Sequence, residues 1–171
     1  MSFRRNSAAC RTSALLAFAA LSSVIASPQA TSRKPPAPTV EFSGFTIHIT
    51  YSAKALQTLQ SRHETVIAAA YLLGHPKPHA PKRLIDEEGR IDFDTLHREI
   101  LPGADAVFTS FTLDKTTLGY LDAQGPQLLI NVYSGRKSSQ FNLLACGLYE
   151  GSLAKVANQT LQIACNLIGE K

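Results

Sequence analysis

The sequence predicts a mainly β chain: an antiparallel β-sandwich of immunoglobulin-like or transthyretin-like form, with one or two short helices and one disulfide. Three observations predict it. Apolar residues recur with a period of two, or in short runs closed by Gly and Pro, in roughly seven to nine separate stretches. Helical spacing occurs only in segments of about two turns or fewer. Two cysteines, Cys146 and Cys165, lie in apolar runs on either side of a shared midpoint near Lys155 and Val156.

The third observation depends on the front of the chain. Residues 1–26, "MSFRRNSAACRTSALLAFAALSSVIA", have the three parts of an export signal. Arg4, Arg5 and Arg11 form a basic segment, "ALLAFAAL" is apolar but shorter than the roughly 20 residues a membrane span needs, and small residues follow. Val24 and Ala26 occupy the positions a signal peptidase reads, so cleavage is expected after Ala26, with Ala30 as the alternative. Cys10 precedes the apolar run rather than following it, which argues against a lipoprotein, and it leaves with the signal. An even pair of cysteines in an oxidising compartment then reads as a structural bridge. Removal of the signal also leaves 14 basic against 13 acidic residues, so no basic stripe for nucleic acid remains. No membrane span is expected after cleavage.

The elements follow in order. Residues 27–39, "SPQATSRKPPAPT", are rich in Pro, Ser and Thr and read as a flexible linker before a single sandwich domain over 40–171. Phe45, Ile47, Ile49 and Tyr51 alternate with polar residues, which predicts a strand with one wet face. "SAKALQTLQ" places Ala55, Leu56 and Leu59 on one helical side behind Ser52 as N-cap. "TVIAAAYLL" is apolar on both faces and predicts a strand covered on both sides, ended by Gly74 and Pro76. "GHPKPHAPK" is a loop, because its prolines cannot continue a helix.

"LIDEEGRIDF" predicts two short strands around a turn at Glu87–Gly89, and 95–101 a further strand. Residues 107–113 read as one strand, followed by a one-turn helix capped by Asp114. "QLLINVY" and "NLLACGLY" read as strands separated by the polar loop "SGRKSSQF". "GSLAKVANQ" predicts a short helix capped by Ser152, and "TLQIACNLI" a strand with Leu161, Ile163, Cys165 and Leu167 on one face. An antiparallel return would set Cys146 and Cys165 opposite each other, and directly opposed residues of a non-hydrogen-bonded pair are close enough to bridge. A bridge between facing sheets is the alternative.

The chemistry is mostly excluded. The chain has no Trp and only the initiator Met, which argues against a blue-copper site with an axial Met. "HETVI" lacks the second histidine of H-E-x-x-H and leads into a strand. There is no G-x-S-x-G elbow, and "SGRKSS" lacks the spacing of a phosphate loop. Asp86, Glu87, Glu88, Asp92 and Asp94 lack the alternation of a calcium loop and read as a solvated hairpin. "NQT" at Asn158 is a glycosylation sequon.

Two groups remain. Tyr133, Arg136 and Lys137 form the candidate contact surface, because Tyr and Arg are enriched where proteins bind. His75 and His79 share the proline-rich loop and are the candidate ligands of a Zn²⁺ or Cu²⁺ site, completed by His48, His97 or a carboxylate. The expectation is therefore an exported, non-enzymatic protein of the periplasm or cell envelope, with no cofactor, that binds another protein or an envelope polymer. The alternative is a periplasmic metal-binding protein using the loop histidines.

Overall fold

The computed structural model describes residues 36–170; the signal reading, Cys10 and the first part of the linker reading lie outside the described residues. Ten strands form three sheets among these residues. They are β1 (Thr39–Phe42), β2 (Phe45–Tyr51), β3 (Val66–Gly74), β4 (Ile91–Ile100), β5 (Ala106–Phe108), β6 (Phe111–Asp114), β7 (Gln127–Ser134), β8 (Leu144–Cys146), β9 (Tyr149–Ser152) and β10 (Thr160–Leu167). Three short helices, α1 (Ala53–Ser61), α2 (Lys115–Leu118) and α3 (Leu153–Val156), and one 3₁₀ turn at Lys82–Leu84 join them. Strand pairing begins at Thr39, the last residue read as linker, and the Pro38 carbonyl accepts the Lys115 N–H at 2.8 Å.

Two four-stranded sheets, in the orders β5-β2-β10-β8 and β4-β3-β7-β9, pack in two layers. Alternation decides which side chains meet between them. Phe45, Ile47 and Ile49 of β2, with Ile163 and Cys165 of β10, face Val66, Ala68, Ala70 and Leu72 of β3 and Leu128, Ile130 and Val132 of β7. Each large side chain fully buried here contributes about 1.5–3 kcal/mol. Ala55 and Leu59, the buried side of α1, join the same core, as do Leu153 and Val156 of α3. Ser52 caps α1 as expected, accepting the Ala55 N–H at 3.0 Å. A small antiparallel pair, β1 with β6, carries the stacked rings of Phe42 and Phe111.

The mainly β class, the two layers and the disulfide are as the sequence predicts. Several details differ. The pairing is not antiparallel throughout: β2 and β10 run parallel, Thr160 beside Thr46 through Cys165 beside Tyr51. The last strand enters at the end where β2 begins, with the Asn158 N–H on the Gly44 carbonyl and the Thr46 N–H on the Gln159 carbonyl. Nearly the whole domain separates the two strands, so no tight turn forces them antiparallel. Among the described residues all three helices predicted element by element are present, one more than the class prediction of one or two, and Ser152 sits at the N-cap of α3 without a side-chain bond.

Several predicted strands are wrong in extent. The second strand of 84–93 and the further strand over 95–101 are one strand, β4. The 107–113 run is two strands, β5 and β6, in different sheets, broken at the exposed Thr109 and Ser110. "NLLACGLY" also divides: β8 ends at Cys146, the chain crosses layers at Gly147 and Leu148, and β9 pairs with β7. The 84–86 segment is no strand; the Asp86 carboxylate instead accepts the N–H groups of Glu88 and Arg90 and closes a turn.

Cys146 and Cys165 are bonded, in register across β8 and β10, with Cα atoms 4.0 Å apart. The Gly147 N–H bonds the Ala164 carbonyl, which makes the cysteines a non-hydrogen-bonded pair. The antiparallel return is therefore correct, although the segment between them includes a strand of the opposite layer.

Candidate functional site

Even-numbered residues of β3 and β7 fill the core, so odd-numbered ones lie on the outer face of the sheet β4-β3-β7-β9. Register sets them in rows: Ile67 beside Tyr133, Ala69 beside Asn131, Tyr71 beside Leu129. Large side chains at both ends and Ala69 between them leave a trough. Two adjoining depressions share Tyr71. One, of about 460 Å³, is lined by Ile67, Tyr71, Asn131, Tyr133, Gly135 and Arg136, with Ser134 and Asn142 in its wall. The other, of about 560 Å³, is lined by Leu73, Arg90, Asp92, Phe93, Asp94, Thr95 and Leu129 around the same tyrosine.

The loop after β7 is fixed from beneath by Glu64. This carboxylate is 1% exposed and accepts the N–H groups of Thr65 (3.1 Å), Lys137 (2.9 Å) and Ser138 (2.8 Å) and the Ser138 hydroxyl (2.6 Å). Burial pushes its pKa up, but the Ser138 hydroxyl and the backbone donors outweigh this and hold it below the usual glutamate range. Gly135 gives its N–H to the Thr65 carbonyl at 2.7 Å, and a Cβ at 135 would lie 1.9 Å from Thr65 Oγ1. Arg136, next in the chain, has φ +60°, a conformation few non-glycine residues adopt. The loop closes through Asn142, whose Oδ1 accepts the N–H groups of Ser134 and Leu144 and whose Nδ2 donates to the Leu144 carbonyl.

Of the predicted contact residues, Tyr133 and Arg136 come together in one depression. Burial raises the Tyr133 pKa, the nearby Tyr71 phenol adds to this, and Arg136 opposes it. Lys137 does not line the trough: its backbone is held by Glu64 and its Nζ lies 2.9 Å from Glu99 Oε1. Arg136 has no ion-pair partner among the described residues.

His75 and His79 are exposed on the loop after β3. His48 bonds Asp105 at 2.7 Å, and His97 lies on β4 beside Ala69. Among the described residues no group of three His, Cys, Asp or Glu side chains is placed to hold a metal ion. In the second depression Asp92 has a raised pKa, from burial and then from the charge of Asp86, with Arg90 opposing.

Glu64, Tyr71 and Asn131 were not singled out by sequence reasoning. Tyr71 carries a usable signal, since it shares the period of two with Ile67 and Ala69 in a strand read as covered on both faces. Glu64 carries none: it stands in the rejected "HETVI" motif, and the loop residues it holds, Lys137 and Ser138, are more than seventy positions away. No protein family, no curated protein and no solved structure matches the chain.

Proposed function

We propose that the chain is an exported, non-enzymatic protein of the periplasm or cell envelope that binds another protein or an envelope polymer across the outer face of β4-β3-β7-β9. The observation that carries this reading is the trough lined by Tyr71 of β3, Tyr133 of β7 and Arg136, the last of these on a loop fixed by a buried carboxylate. A binding surface benefits when its contact groups are already ordered, since the entropy of ordering them is then not charged against association. The disulfide and the signal-like residues 1–26 support export. No helix among the described residues is long and apolar enough to cross a membrane.

Immobilised mature protein, exposed separately to the protein and polymer fractions of an envelope extract, tests the reading. Tyr133→Ala and Arg136→Asn are expected to lower retention of one fraction at least tenfold. Equal retention by wild type and both variants overturns the assignment of the surface.

A further inference from the structure

We propose that the trough between Tyr71 and Arg136 is a subsite for an acidic glycan, an oligosaccharide segment bearing carboxylate or sulfate. This rests on the reading of the outer sheet face as the binding surface and names its ligand. Size is the first argument. A depression of about 460 Å³ falls within the roughly 300–1,000 Å³ of small-ligand sites. It is a recess in one sheet face, whereas a stable protein partner typically covers about 800 Å² on each side.

Charge is the second. Arg136 is the one charged residue lining this depression, and it has no carboxylate partner among the described residues. An occupant is complementary when it supplies the anion, and the planar guanidinium suits an oxyanion bidentately. Rings are the third argument. Tyr71 and Tyr133 stand at opposite ends of the trough, separated along the strands by about 13 Å at the usual rise per residue. Each presents an apolar ring with a polar tip, the combination that packs on the C–H face of a sugar while bonding its hydroxyls.

The hydrogen-bonding inventory agrees. Asn131 makes no side-chain hydrogen bond among the described residues, so its amide offers both a donor and an acceptor midway along the trough. The wall residues Ser134 and Asn142, by contrast, spend their polar atoms on each other and on the backbone.

The chain has no tryptophan, and two of its five tyrosines, Tyr71 and Tyr133, line the trough, so a ligand-dependent change in tyrosine emission that Tyr71→Ala diminishes reports on this site. The full mature protein is titrated with tetragalacturonate, sulfated maltotetraose, maltotetraose and poly-glutamate, following tyrosine emission and calorimetry. At least one acidic oligosaccharide is expected to bind saturably and at least tenfold more tightly than maltotetraose; which one it is separates carboxylate from sulfate. Arg136→Asn keeps the left-handed backbone, which Asn tolerates, and should weaken binding tenfold or more with an unchanged melting temperature. Tyr71→Ala should do likewise, and Lys155→Gln, a charge removed outside the trough, should not. No saturable binding of either acidic oligosaccharide, or binding indifferent to Arg136→Asn, overturns the proposal. Should poly-glutamate bind more tightly than both sugars and depend on Arg136, the glycan falls and the contact surface stands. Should neither these probes nor any envelope fraction be retained, both fall.

Discussion

Two anchors hold the crossing from one layer to the other, and they work differently. At its start, after β7, Glu64 grips the backbone of Lys137 and Ser138 with an ionised carboxylate. At its end, the Cys146–Cys165 bond holds β8, a three-residue edge strand, against β10. The covalent anchor secures a strand with little pairing of its own and is indifferent to pH. The carboxylate secures the loop that carries Arg136 and depends on its charge. Both anchors stabilise the fold, but only the carboxylate makes the loop that carries Arg136 sensitive to pH.

The largest expected effect is at the carboxylate. Glu64→Ala leaves three backbone donors and one hydroxyl without their acceptor in a buried place, at a cost on the order of 4 kcal/mol; Glu64→Gln, which retains one oxygen, should cost about half that. Because the folded pKa lies below the usual glutamate range, this stabilisation is complete above that range and is lost as pH falls through the folded value. Denaturant melts of wild type and Glu64→Gln should therefore converge on acidification. In hydrogen exchange, Glu64→Gln should release the Lys137 and Ser138 amides ahead of β10. Parallel stability curves at every pH would remove the carboxylate from its role.

Replacing both cysteines comes next. For a loop of this length, loss of the bridge is expected to cost about 3 kcal/mol, with the same penalty at pH 4 and pH 7. The amides of β8 should exchange faster while those of Lys137 and Ser138 keep their protection. Loss of protection at both places would mean that the anchors act as one.

The covalent anchor was legible in the sequence, and the other was not. Cys146 and Cys165 announce themselves by type, by even count and by equal spacing from a midpoint. The strand alternation of Phe45, Ile47 and Ile49 and the caps at Ser52 and Asp114 are equally local. Glu64 acts on residues far along the chain, and nothing local distinguishes it from a surface glutamate. The breaks at Thr109–Ser110 and at Gly147–Leu148 escaped for a related reason. Each lies inside or beside an apolar run, and the choice of sheet is made by which inner face each half can cover. Of the trough, Tyr133 and Arg136 were visible as residue types, but the recess between them and Tyr71 exists only once β3 and β7 are in register.

The smallest effect has the opposite sign and lies beside the disulfide. Tyr51, at the end of β2, is level with Cys165, and its hydroxyl is buried without a hydrogen-bond partner. Burial pushes its pKa up to about 12. Tyr51→Phe removes a polar atom that gains nothing from folding and leaves almost no cavity, so it should stabilise by about 1 kcal/mol. For a domain of this size that is a rise of roughly 4 °C in Tm. The raised pKa gives a second signature: the wild type keeps its full stability below the ordinary tyrosine value of 10 and loses it as pH rises toward about 12, whereas the variant does not share that loss. Because Tyr51 and Cys165 share a register position, the gain should shrink once the cysteines are replaced and β8 loosens enough to admit water. A gain that persists unchanged in the cysteine-free protein would show that the bridge holds β8 without sealing the core behind it.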